Sequence, residues 1–133
     1  DDLDWGKRHY MGLRAYGASK TAQIMTVMTL AKKLEGTSVT INAMHPGGVR
    51  TNIGNNNGWL YRTWQRAFIW PFLKDPVISG DALYYLSSAP ELSKISGRYF
   101  NLTIDEKPMP HALDEEIQKA IWEKSLELAG LTP

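Results

Sequence analysis

Tyr16 and Lys20 form a Tyr-x-x-x-Lys pair. On a helix, residues four apart share a face, so this spacing sets a phenol beside an ammonium. A tyrosine in water gives up its proton only near pH ~10, too high for a base at neutral pH. A neighbouring ammonium favours the phenolate and brings it toward the working range. The chemistry open to such a pair is proton exchange with a substrate oxygen. The same five residues also fit a surface tyrosine next to a solvated lysine, so the surroundings must decide. Tyr10 and Arg14 repeat the spacing with a permanently charged partner. Ser19 sits inside the motif but on a different helical face from Tyr16. His9, His45 and His111 are too scattered to suggest a metal site, and His45, just before Pro46, reads as structural. The chain has no cysteine, which excludes disulfides, thiolate metal sites and a cysteine nucleophile.

The elements that must hold the pair can be read from periodicity. Residues 1–13 are polar and mixed, and predict a loop leading into a helix. From about Ala15 to Leu34 the pattern is helical, and Ala22, Ile24, Met25, Val27, Met28, Leu30, Ala31 and Leu34 spread round most of the circumference. Such a helix is expected to be buried on more than one side. Lys32 and Lys33 suit its last turn, and Gly36 is a plausible stop. The segment from Ser38 to Met44 is short, β-branched and apolar, a buried strand of the parallel type. His45-Pro46-Gly47-Gly48 then breaks it at the end where ligands bind in open α/β sheets.

Further on, Asn55, Asn56, Asn57 and Gly58 form a turn cluster. An aromatic stretch follows, with Trp59, Leu60, Trp64, Phe68, Trp70, Phe72 and Leu73 interleaved with Arg62 and Arg66. Asp75-Pro76 predicts the start of a helix that runs to about Ser88 and ends before Pro90. A strand is expected from Gly97 to Leu102, and a last helix from Asp114 to near Gly130. The order is α-β-lid-α-β-α.

The pair at the head of a helix, the strand carrying Asn42-Ala43, and the segment Pro46-Gly47-Gly48-Val49-Arg50-Thr51 together resemble the short-chain dehydrogenase/reductase family. The runs Ser38 to Gly47, Val49 to Thr51 and Gly97 to Phe100 resemble most its retinol dehydrogenase-like branch. The likeness extends from Asp1 to near Gly130. It implies one α/β domain over residues 1–133, the C-terminal portion of a Rossmann-like doubly wound parallel sheet without the N-terminal nucleotide-binding half. It also implies roles. Tyr16 would be the general acid/base. Lys20 would favour its phenolate and bond the nicotinamide ribose. Pro46, Gly47, Val49 and Thr51 would border the nicotinamide of NAD or NADP. The choice between the two dinucleotides is made upstream of Asp1, as are the family's Gly-rich phosphate turn and catalytic serine.

The resemblance places a mobile substrate lid at residues 52–75, with Trp59, Trp64, Phe68 and Trp70 as its apolar wall. Those rings equally fit the cover of a core edge, or contact with a membrane surface or another subunit. The implied activity is interconversion of an alcohol and a carbonyl on a lipophilic, retinoid- or steroid-like substrate, with the isolated chain inactive. The alternative is a non-catalytic binding or scaffold module that kept the dehydrogenase fold.

Composition sets the outer bounds. With 133 residues the chain can bury one core, and 43% hydrophobic and 22% charged residues are ordinary for a globular protein. A net charge of +1 without a basic block argues against nucleic acid. No apolar run reaches the length of a membrane span. The lack of cysteine fits a reducing compartment. A strand that expects a neighbour on each side and an all-round apolar helix predict self-association of the isolated chain.

Overall fold

In the computed structural model, which describes residues 5–52 and 58–131, the chain enters helix α1 (Gly12–Lys33) directly from the extended backbone of Met11. No side chain caps this start; the Ala15 N–H closes the first turn on the Met11 carbonyl at 2.9 Å. The helix thus begins earlier than apolar periodicity alone indicates, because Gly12, Leu13 and Arg14 need no packing partner to join its first turn. Lys32 and Lys33 occupy its last turn, and Gly36 follows with φ +81°.

The described residues fall into two compact units, one comprising the chain up to Ala43 with 96–99 and 107–133, the other 44–95 with 100–106. In the first unit, α1 packs on helix α4 (Glu115–Leu128) and on the short 3₁₀ turn Pro110–Leu113. Met25, Ala31 and Ala112 form its buried apolar centre. Gln118 is buried beside them, and its Nε2 donates to the Ala112 carbonyl at 2.8 Å, which satisfies a group that would be costly left bare. Residues 21–31 of α1 are otherwise half-buried, apart from exposed Gln23, and the turns before them are mostly exposed. Burial or half-burial at positions 21, 22 and 24–31 runs round the helix, as its apolar periodicity predicts, and the exposed first turns are where the expectation stops.

The ends of α4 follow capping chemistry. The Asp114 carboxylate accepts from the Glu116 and Ile117 N–H groups at 3.0 and 3.2 Å, and Gly130 takes φ +69° after the last turn. Lys32 Nζ meets Glu115 Oε1 at 2.7 Å, tying α1 to α4. The hydrogen bond from Lys32, and then its charge, hold the Glu115 carboxyl below its usual range.

Strand β1 is Ala43–His45, β2 is Tyr99–Asn101 and β3 is Ile104–Asp105, in the sheet order β1-β2-β3. Ala43 N–H donates to Arg98 O at 2.9 Å and Leu102 N–H to His45 O at 3.0 Å; both partners advance together, as in a parallel pair. β2 and β3 are antiparallel, with Phe100 opposite Asp105 and Asn101 opposite Ile104. The sheet is thus mixed, which corrects the wholly parallel expectation for β3. The predicted strand from Ser38 to Met44 shrinks to Ala43–His45, and Val39 is exposed rather than buried. Ahead of Ala43, Ile41 is held by the Ser96 hydroxyl and the Gly97 N–H instead of a regular ladder.

In the second unit, helix α2 (Gly58–Phe68) runs into a 3₁₀ turn, Trp70–Phe72. Asp75 Oδ1 then accepts from the Val77 N–H at 2.9 Å and opens helix α3 (Val77–Ser88) as predicted. Ala82 and Phe100 are its buried residues. The Asn55, Asn56 and Asn57 turn cluster lies outside the described residues.

Candidate active site

Helix α1 carries the Tyr-x-x-x-Lys pair on its exposed N-terminal half, where Tyr16 is 53% accessible. The two side chains share a face: Lys20 Nζ lies 5.6 Å from the centre of the Tyr16 ring. The ammonium also donates to Gln23 Oε1 at 3.1 Å, which fixes its direction one turn further on. Gln23 was not singled out from the sequence, although its i+3 spacing from Lys20 is the signal that finds it. Ser19 Oγ donates to the Tyr16 carbonyl at 2.7 Å, occupied with the backbone of its own helix. Tyr10 precedes α1 and stacks edge-on with Trp5 at 5.7 Å, so it shares no helical face with Arg14.

In the second unit, Pro46, Gly47, Val49 and Thr51 stand on the bend that leaves β1. Gly47 adopts φ +77°, a conformation that favours glycine. Its N–H donates to His45 Nδ1 at 2.9 Å, so His45 acts on the backbone of the bend. The Pro46 carbonyl accepts from Ser79 Oγ of α3 at 2.5 Å. Beyond the bend, Val49 bridges to Lys74 in parallel fashion, with Lys74 N–H to Gly48 O and Arg50 N–H to Lys74 O both at 3.0 Å. Leu102 packs its methyls against Gly47, and Leu73 lies against Gly48. The result is a loop fixed by hydrogen bonds on both sides and backed at Gly47 by the Leu102 side chain.

The aromatic residues of the expected lid are placed on α2 and the turn after it. Trp59, Trp64 and Phe68 are 71%, 49% and 64% exposed, whereas Trp70 is half-buried under Arg66, whose guanidinium lies 5.3 Å from its ring. The alternative that these rings cover a core edge does not hold for the three on α2, which contains no buried residue. Among the described residues there is no cluster of His, Asp or Glu that could hold a metal ion.

Against known proteins, a family model for short chain dehydrogenase matches residues 4–59, which takes in the Tyr16–Lys20 pair and the Pro46–Thr51 bend. Retinol dehydrogenase 13 of Homo sapiens is 36% identical over 98% of this chain and 41% of its own length. Retinol dehydrogenase 14 of Homo sapiens is 38% identical over 98% of this chain and 39% of its own, and a polyprenol dehydrogenase of Mus musculus 34% identical over 94% and 38%. The chain spans about two fifths of the length of these curated relatives. Motif and likeness agree: the chain is similar to the short-chain dehydrogenase family over residues 4–59 and, over nearly its whole length, to retinol dehydrogenase-like proteins.

Proposed function

We propose that this chain supplies the proton-transfer half of an NAD(P)-dependent oxidoreductase that interconverts an alcohol and a carbonyl, on a lipophilic, retinoid-like substrate. The observation that carries the reading is the phenol and ammonium held on one face of α1, with Lys20 Nζ 5.6 Å from the Tyr16 ring. The names of the relatives, retinol and polyprenol dehydrogenases, support the substrate class.

A bound nicotinamide supplies hydride acceptance or donation at the substrate carbon. Tyr16 Oη takes the hydroxyl proton as an alcohol becomes a carbonyl, and returns a proton to the oxygen in the reverse direction. Lys20 stabilises the phenolate left when the proton is away, and Gln23 holds the ammonium in place. Pro46, Gly47, Val49 and Thr51 border the nicotinamide end, where Gly47 permits close backbone approach and Thr51 offers a hydroxyl. Trp59, Trp64, Phe68 and Trp70 form the apolar wall that selects substrate shape and sheds water. In this reading β1 and β2 are strands of a Rossmann-like doubly wound sheet.

The test is the substitution Tyr16→Phe in the longer protein. It removes one oxygen from an exposed side chain, so the fold stays intact. Turnover should fall at least about a hundredfold, the contribution expected of a positioned general acid/base, while NAD(P)H still binds. Retained turnover would remove Tyr16 from its role. The 133-residue chain by itself should show little NAD(P)H binding in a fluorescence titration, since the dinucleotide phosphates have no Gly-rich turn in this sequence to rest on.

A further inference from the structure

On either side of the Pro46–Gly47 pair the bend is held by other backbone. The His45 carbonyl accepts from the Leu102 N–H, and the Gly48 carbonyl from the Lys74 N–H, both at 3.0 Å. The peptide between Pro46 and Gly47 is held differently. Its carbonyl, on Pro46, accepts from Ser79 Oγ at 2.5 Å, and its N–H, on Gly47, donates to His45 Nδ1 at 2.9 Å. Both polar ends of this one peptide plane thus rest on side chains, one from the end of β1 and one from α3.

Backbone torsion alone does not fix the plane. A proline followed by a glycine with φ +77° is the pattern of the central pair in a type II turn, and turning the intervening peptide over gives the type I arrangement. Glycine takes φ of either sign at little cost, so both orientations are open to it. Turning over reverses a peptide dipole of about 3.5 D and carries the Pro46 carbonyl to the opposite side of the bend. It also breaks both side-chain bonds at once. The His45 bond has a further requirement: Nδ1 accepts only when it carries no proton, so the ring is neutral with its hydrogen on Nε2. The same reach, from a side chain to the N–H two residues on, is what an asparagine makes in an Asx turn.

We propose that His45 and Ser79 are positioning residues that lock the Pro46–Gly47 peptide in one orientation, and so set the polar surface that the bend offers to a nicotinamide. The inference rests on the reading of this bend as the nicotinamide border, and adds to it two residues that act through the backbone. Each bond biases the peptide by about fivefold, the net worth of an ordinary hydrogen bond.

The experiment is a fluorescence titration of the longer protein with NAD(P)H, for the wild type, His45→Leu, Ser79→Ala, the double variant and His45→Asn. The double variant should bind roughly tenfold more weakly, and each single change should cost less. His45→Asn should bind like the wild type, because its side-chain oxygen restores the acceptor, whereas a need for the ring itself would not be met by asparagine. A second readout requires no cofactor. With isotope-labelled histidine in the ligand-free protein, the ring nitrogens of His45 should show the Nε2–H tautomer. The Gly47 amide should exchange faster in His45→Leu than in the wild type or in His45→Asn. A His45 ring protonated on Nδ1 overturns the proposal, and this result is read on the wild type, whatever the variants do to folding. So does His45→Asn binding no better than His45→Leu. A wild type that binds no NAD(P)H overturns this proposal and the oxidoreductase reading together, whereas binding that the double variant leaves unchanged overturns this proposal alone.

Discussion

Gly97→Ala tests how α1 is seated within its own unit. Gly97 has φ +75°, and its N–H donates to the Ile41 carbonyl at 2.8 Å, so its backbone cannot relax without losing that bond. A Cβ at this position would lie 3.1 Å from the Cβ of Ala31, a buried residue of α1. Two costs add. Holding a non-glycine residue in the left-handed region costs about 1–2 kcal/mol. The new methyl falls inside the ~3.5–4.0 Å optimum for carbon–carbon contact, so α1 must shift by a few tenths of an ångström, for some tenths of a kcal/mol more. The total is about 2 kcal/mol. With an unfolding entropy of ~2.1 cal/mol/K per residue, that lowers the thermal midpoint by roughly 7 °C in a chain of this size. The assay is thermal unfolding followed by circular dichroism, with Gly80→Ala as the internal control. Gly80 lies within α3, and a Cβ there meets no atom within 4 Å. The control should gain about 0.5–1 kcal/mol from helix propensity alone. A Gly97→Ala protein as stable as the wild type would refute the close seating of α1 against Gly97.

Asp114→Ala removes the acceptor for the Glu116 and Ile117 N–H groups and should cost about 1 kcal/mol in urea unfolding, with Asp114→Asn nearly neutral. The Lys32–Glu115 pair predicts an acid effect. Because the Glu115 carboxyl is held below its ordinary value of 4.5, its contribution is fully present above that pH and fades as pH falls through the lowered value. Both side chains are more than half exposed, so the effect is small. Midpoints of the wild type and Lys32→Met should converge on acidification below pH 4.5, and parallel curves would contradict the pairing.

The parts of the fold written in local chemistry were legible from sequence. Asp75-Pro76 before α3, Asp114 before α4 and Gly130 after it are caps and stops whose residue types act within one turn, and the structure puts them to that use. The juxtaposition of Tyr16 and Lys20 was legible for the same reason, since helical spacing alone dictates it. Strand limits were not. Ser38 to Asn42 have strand composition, but the ladder begins only at Ala43, where the backbone of Arg98 supplies a partner. The two-residue strand β3 is too short to carry a periodic signal, and its antiparallel turn-back was missed. Helix α2 was read as lid without secondary structure because Trp, Tyr, Phe and Thr are middling helix formers; its apolar arc emerges only when the residues are set on a helical wheel. Gln23 was passed over since nothing in its type marks it until Lys20 is seen reaching forward to it.

The contact between Gly47 and Leu102 divides its constraints unevenly between the two residues. At Gly47 there is room for a methyl, since the nearest Leu102 carbon would stand 3.5 Å away, yet φ +77° disfavours one. At Leu102 the backbone is also left-handed, φ +56°, where a glycine or asparagine would be easier, yet its branched side chain is the buttress behind the bend. Replacement is thus blocked at the first position by torsion and at the second by shape. Trimming Leu102 would relax the hairpin while letting the loop behind Pro46 sag, and the softness would show in that loop's amide exchange and leave the helices untouched.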